Sequence, residues 1–277
     1  MENMGGSESI QDLRVDRAKD WLAGKESAFI FLDVRQPEEY IKGHLPGAVL
    51  IPLATLIDNI GQLDHAKPVM VYCRSGNRSR AAAGILQGSG FSKVYNLVGG
   101  ITAWNGQVAT GSYDEGLYLL NGRETAEELT SLALALEEGS YKFYSTLIEL
   151  TRDVQARSIF ADLAESEARH KMNIFKAYKA VSGKDLGEDI KGRETLNGVM
   201  ESGVRIDDAI NFIKQRGLFL LDMLELSMQL ETNAIDLYIK IYQRISNEDA
   251  KKVFDSIIIE EKRHLYMLGK LIGERVT

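Results

Sequence analysis

The chain has 277 residues, 44% of them hydrophobic and 26% charged, with a formal net charge of −7. That length suits two domains of ordinary size. No apolar run approaches the roughly 20 residues that span a bilayer, and the acidic balance argues against nucleic acid as the main partner. A single cysteine, Cys73, excludes an internal disulfide and any cysteine-rich metal knuckle.

The charge is unevenly placed. Residues 1–112 carry 11 basic and 11 acidic side chains, so the whole acidic excess lies in 113–277. The polar start, Met1–Gln11, lacks the apolar core of a signal peptide, and a cytoplasmic location is expected.

In the first half, short apolar runs alternate with helical stretches, and all four prolines lie before residue 70. Strands are predicted at Phe29–Asp33, Val69–Tyr72 and Val94–Leu97, and helices at Arg17–Ala23, Pro37–Lys42 and Arg80–Gln87. This alternation predicts an α/β layer fold with a largely parallel sheet over 1–112. The Gly-rich, polar stretch Asn105–Arg123 reads as a linker, centred on 113–124. Thr125-Ala-Glu-Glu128 is a capping box that opens a long helix. From there 3.6-residue periodicity dominates. Four long helices are predicted at Thr125–Arg152, Val154–Val181, Gly217–Ser246 and Glu248–Ile272. The crossover Ser182–Arg216 between the second and third holds a short helix near Asp207–Lys214. Residues 125–277 are therefore expected to form an all-α four-helix bundle with one long connection.

Cys73-Arg74-Ser75-Gly76-Asn77-Arg78 follows a predicted strand, and Ser79 opens a helix. Loop amides and a helix N-terminus can converge on the sulfur, with Arg74, Arg78 and Arg80 adding positive field. Such surroundings stabilise a thiolate nucleophile. The Cys-x4-Arg spacing is one residue tighter than the Cys-x5-Arg loop that surrounds a phosphate, and suits a single sulfur atom. Asp33 and Arg35 read as braces of the fold, His44 as a turn residue and Trp104 as core.

Residues 10–110 resemble the rhodanese family. The match runs through Leu32-Asp-Val-Arg35, Glu39-Tyr40, Gly43-His44-Leu-Pro46-Gly47-Ala48, the Cys73 loop, Gly99-Gly100 and Ala103-Trp104. The resemblance implies a persulfide on Cys73, taken from a sulfane-sulfur donor such as thiosulfate and passed to a thiol-type acceptor.

The helical half repeats itself at an offset of 94 residues. Glu137 precedes Glu167 by 30 positions and His170 by 33; Glu231 precedes Glu261 and His264 by the same steps. Residues three apart share a helix face, so each Glu-x-x-His presents two ligands together. Those faces are otherwise apolar: Phe160, Leu163 and Ala164 lead to Glu167, and Phe254, Ile257 and Ile258 lead to Glu261. Four carboxylates would then enter a core, where unpaired charge costs several kcal/mol per ion. Two divalent ions would cancel them. Tyr144 and Tyr238, each seven positions after an opening Glu, either hydrogen-bond to ligand carboxylates or pack in the core. Glu138, Glu165 and Glu260 are assigned to exposed or supporting positions.

One Glu from each of two helices with Glu-x-x-His from each of the other two is the di-iron arrangement of ferritin-like bundles. Residues 125–277 resemble the rubrerythrin and bacterioferritin branch of those proteins, with two departures: no rubredoxin-type module is present, and Ala234 stands where a further acidic ligand is found three positions after the third-helix Glu. The donor set suits iron or manganese above zinc, and the resemblance implies two iron ions. The resulting expectation is a bifunctional sulfur and redox protein: a Cys73 sulfurtransferase joined to a di-iron site that reduces peroxide or dioxygen with electrons from a separate donor. A homodimer is expected. The rival readings are an iron-storage bundle with a rhodanese relay, and a dimerisation bundle with a structural metal.

Overall fold

The computed structural model describes residues 10–23, 29–111, 125–183 and 198–276. The chain divides into two compact units, Met1–Tyr113 and Asp114–Thr277. The linker expected at 113–124 and the crossover residues 184–197 lie outside the described residues.

The first unit is built on a parallel sheet of β1 (Gln11–Leu13), β2 (Ile30–Asp33), β3 (Val49–Leu50), β4 (Val69–Tyr72) and β5 (Val94–Leu97). The order is β1-β5-β4-β2-β3, and every pairing is parallel. The inner strands β2 and β4 are buried along their whole length, as a sheet covered on both faces requires. Helices α1 (Val15–Ala23), α2 (Pro37–Ile41), α3 (Leu56–Asn59), α4 (Asn77–Gly88) and α5 (Gly100–Ala103) complete the unit. Two departures from expectation stand out. The two- and three-residue edge strands β1 and β3 are too short to carry a pattern of their own; pairing with β5 and β2 creates them. Residues 105–111 are not linker, because Ala109 bridges His44 and the Gly111 amide donates to the Ile41 carbonyl at 2.9 Å.

The second unit contains α6 (Ala126–Leu150), α7 (Val154–Ser182), α8 (Ile206–Gln215), α9 (Leu220–Arg244) and α10 (Glu248–Val276). The capping box starts α6: the Glu128 amide donates to Thr125 Oγ1 at 3.2 Å, and the Thr125 amide donates to Glu128 Oε2 at 2.8 Å. Gly183, at φ 69°, ends α7. Helix α6 packs on α7, α9 on α10, and α7 on α10. The bundle core is two apolar clusters, one around Leu132, Ile239 and Phe254, the other around Tyr144, Phe160 and Leu268. On α6, α7, α9 and α10 alike, the residues between the two clusters are the glutamates and histidines of the repeat.

The cysteine loop is clamped from behind. Ile101 and Thr102 amides donate to the carbonyls of Cys73 and Arg74 at 2.9 and 3.0 Å. Gly100 makes this close approach with φ 55°, and a Cβ there would lie 2.3 Å from the Cys73 oxygen. Gly100→Ala is expected to destabilise the first unit by about 2 kcal/mol or more. Urea unfolding followed by tryptophan fluorescence measures this selectively, since Trp21 and Trp104 are the only tryptophans in the chain.

Candidate thiol site and candidate metal centre

Strand β4 delivers Cys73 to the C-terminal edge of the sheet, where the loop turns into α4. The turn is made at Gly76, with φ 101°. Its amide donates to Cys73 Sγ at 3.1 Å. The helix begins at Asn77, two residues earlier than predicted, which places Ser79 in its first turn with its hydroxyl 3.5 Å from Sγ. Cys73 is buried, which alone would raise its pKa. The Ser79 hydroxyl and the amides of Ser79, Gly76 and Ser75 outweigh that and hold it below the ordinary thiol value.

The arginines contribute less than expected. Arg78 is gripped by both oxygens of Glu39 at 2.7 Å, and Arg80 meets Asp12 at 2.6 Å. Two of the three positive charges therefore have carboxylate partners, although Arg78 also interacts with the Cys73 sulfur. Arg74, Ser75 and Asn77 are exposed around the loop. Asp33 and Arg35 form a buried brace, with Arg35 also donating to the Gly43 carbonyl at 2.7 Å. His44 is buried and stacked on Tyr40 at 3.6 Å. Sequence reasoning missed Ser79, Asn96 and Glu39 as parts of this site. Asn96 accepts from Ser79 at 2.6 Å and donates to Asp12 at 3.0 Å, a chain visible only once β5 lies beside β1 and α4.

In the bundle, the six repeat residues converge. Glu137, Glu167, His170 and Glu261 form one group of ligand atoms, and Glu167, Glu231, Glu261 and His264 a second. Glu167 and Glu261 belong to both. His170 Nδ1 lies 3.1 Å from Glu167, 3.1 Å from Glu261 and 3.3 Å from Glu137. His264 Nδ1 lies 2.9 Å from Glu261 and 3.3 Å from Glu231. The imidazole rings are 5.8 Å apart. No member is more than 3% exposed.

The tyrosines hydrogen-bond, and they do so crosswise. Tyr238 of α9 donates to Glu137 of α6 at 2.6 Å, and Tyr144 of α6 donates to Glu231 of α9. His170 Nε2 is within 3.2 Å of Glu260, which orients the ring so that Nδ1 faces the carboxylates. Glu138 lies outside, paired with Lys142 at 3.2 Å and with Lys171, and Glu165 meets Arg169 at 3.6 Å near the surface. Glu201 was not predicted; it comes from the crossover, is 4% exposed, and feels the like charges of Glu137, Glu261 and Glu231.

The electrostatics favour positive charge at the centre. Burial, then Glu261, push Glu231 up to about 8. Burial opposes protonation of His264, yet Glu261 and Glu231 raise it to about 11. Glu137 Oε2 and Glu261 Oε1 are buried without a hydrogen bond of good geometry, each only facing His170 Nδ1, at 3.3 and 3.1 Å. Four carboxylates and two imidazoles so placed fit a pair of metal ions, which Glu137, Glu167, His170, Glu231, Glu261 and His264 would hold.

A rhodanese-like domain model matches residues 14–107, and a rubrerythrin model matches residues 128–272. The Bacillus subtilis protein named "Putative sulfur carrier protein YrkF" is 38% identical over 99 residues, which is 36% of this chain and 53% of that one. The uncharacterized protein YqhL of the same organism is 38% identical over 90 residues, 32% of this chain and 71% of that one. The chain thus spans about half the length of the first relative. The crystal structure of a rhodanese-like domain protein from Staphylococcus aureus aligns over 37% of this chain and 100% of that one, at 28% identity and a TM-score of 0.34.

Iodoacetamide alkylation should detect the Cys73 thiolate below the free-thiol pKa of about 8.5, and Ser79→Ala should move the alkylation midpoint upward. Glu39 offers a second pH test. Arg78 holds it at about 2, so its stabilisation is present above the unfolded value of 4.5 and is lost as pH falls through about 2. The stability difference between wild type and Glu39→Gln, measured by urea titration, should accordingly be constant near neutrality and shrink across that acid window.

Proposed function

Because this chain belongs to the rubrerythrin family and carries a rhodanese-like domain ahead of the bundle, we propose that it joins a Cys73 sulfurtransferase to a di-iron centre that reduces peroxide or dioxygen. The observation that carries the redox half is the convergence of Glu137, Glu167, His170, Glu231, Glu261 and His264 on two overlapping ligand groups. Those six residues would hold two iron ions, which would supply the redox chemistry for reducing the oxidant. Manganese is the other metal that the donor set favours.

The protein's own residues do the rest. The tyrosine bonds fix Glu137 and Glu231, and Glu260 fixes His170. A groove of about 260 Å³ between α7 and α10, lined by Ser166, Arg169, Glu260, Arg263, His264 and Met267, opens beside the centre. Its size suits a small oxidant. Electrons would come from a separate donor or from the substrate.

At the other site, the Cys73 thiolate attacks the outer sulfur of thiosulfate. The Sγ–S bond forms, the S–S bond breaks, and sulfite leaves with the electron pair. The loop amides that support the thiolate then face the persulfide. A thiol acceptor or cyanide attacks the outer sulfur and regenerates the thiolate.

Cys73→Ser should abolish sulfur transfer from thiosulfate to cyanide while leaving metal content unchanged. Elemental analysis of protein grown with ample iron, manganese and zinc should find two ions per chain. His170→Ala and His264→Ala should each weaken metal binding by at least about 100-fold and lower the melting temperature with it. Iron uptake without peroxide turnover in the presence of a reductant would select the storage reading instead.

A further inference from the structure

The crossover ends in a tight turn before α8. Val199 bridges Arg205, the Met200 amide donates to the Val204 carbonyl at 2.9 Å, and the Gly203 amide donates back to the Met200 carbonyl at 2.9 Å. Glu201 and Ser202 form the tip. Turn tips ordinarily face water, yet Val199, Met200, Glu201 and Ser202 are all buried, between 1% and 7% exposed.

The turn is let into the bundle at Gly139, two residues after Glu137. A Cβ at Gly139 would lie 2.0 Å from the Val199 oxygen and 3.1 Å from the Met200 Cα. Glycine inside a helix costs about 1 kcal/mol relative to alanine. Here it is the one residue type that admits the turn at this depth.

The Glu201 side chain reaches a cavity of about 10 Å³ that it shares with Ser140, Tyr144, Glu231 and Ala234. Ala234 lies one turn beyond Glu231 on the same face of α9 and lines the same cavity as Glu201. The Glu201 carboxylate accepts from its own backbone amide and otherwise feels the negative charges of Glu137, Glu261 and Glu231. A buried carboxylate whose charged neighbours are other carboxylates is unfavourable by several kcal/mol unless a cation meets it. A solvated role is closed to it by burial, and packing alone would favour an apolar side chain of similar volume.

We propose that Glu201 is a seventh protein ligand of the metal centre, carried by the crossover turn to the α6/α9 side, across the centre from the groove between α7 and α10. The proposal rests on the reading of the other six residues as a metal centre. It also gives the turn a purpose: a ligand on a connection is set by the path of the chain, so the position left by Ala234 is filled from elsewhere.

The test compares wild type with Glu201→Gln, which keeps shape and removes charge, and with Glu201→Asp, which keeps charge and withdraws it by one methylene. Fe²⁺ affinity is measured anaerobically by chelator competition, and the Co²⁺-loaded protein is examined by visible absorption. Thermal unfolding is followed with and without metal. Glu201→Gln is expected to lose at least about tenfold in affinity for one of the two ions and to change the Co²⁺ spectrum, with Glu201→Asp in between. Its melting temperature should fall relative to wild type when metal is bound, but change little after chelation, because the amide keeps the shape and packing of the side chain. A purely structural glutamate would lower both melting temperatures. Two ions bound with wild-type affinity and an unchanged Co²⁺ spectrum in both variants would overturn the ligand assignment and leave the six-residue centre standing. Failure of the wild type to bind metal would overturn both.

Discussion

Four glutamates, none more than 3% exposed, sit in a layer across the middle of the helical bundle. Charge at that depth is tolerated only when opposite charge and hydrogen bonds surround it. The rest of the unit is organised around this constraint. Two apolar clusters seal the layer from above and below. Two histidines enter it with Nδ1 turned inward. Two tyrosines reach across from opposite helices to hold the glutamates that stand without a histidine on their own helix. Each helix gives the layer only one or two ionisable ligand residues within a largely apolar core, where electrostatic interactions are strong.

The 94-residue repeat makes the centre nearly symmetric, and the departures from symmetry are where the two halves differ chemically. Glu260 backs His170, whereas the position 94 residues earlier is Ser166, whose hydroxyl donates to Glu260 at 3.4 Å instead. The groove between α7 and α10 opens beside His264. The crossover turn brings Glu201 to the α6/α9 side. Each departure alters what surrounds one side of the layer without altering the repeated ligands themselves.

The thiol site solves a related problem by other means. Cys73 is 1% exposed, yet its pKa is held below the ordinary thiol value. Backbone amides at the start of α4 and the Ser79 hydroxyl surround the sulfur, and Arg78, gripped by Glu39, adds its charge. A single diffuse charge on sulfur is within reach of such dipoles. Four carboxylates are not, which is why one unit needs only a loop and the other needs metal ligands.

Much of this was legible in the amino-acid order because it depends on local periodicity. The inner strands are largely apolar runs, and the long helices announce themselves by capping and by 3.6-residue spacing. The Glu-x-x-His pairs could be placed on one face because three residues make nearly one turn, and their exact repetition at 94 residues marked them as a set. What the order of residues could not convey was contact between segments without a shared pattern. β1 and β3 exist through their partners. The arginines of the cysteine loop meet Glu39 and Asp12, residues 39 and 68 positions away. The tyrosines bond to the opposite helix, a choice that helix packing makes. Glu201 lies on a turn with no periodicity, and only the fold, by admitting that turn at Gly139, places its carboxylate beside the others. Spacing along one helix is set by backbone geometry and can be read directly; proximity between elements is set by packing, and appears only when the chain is folded.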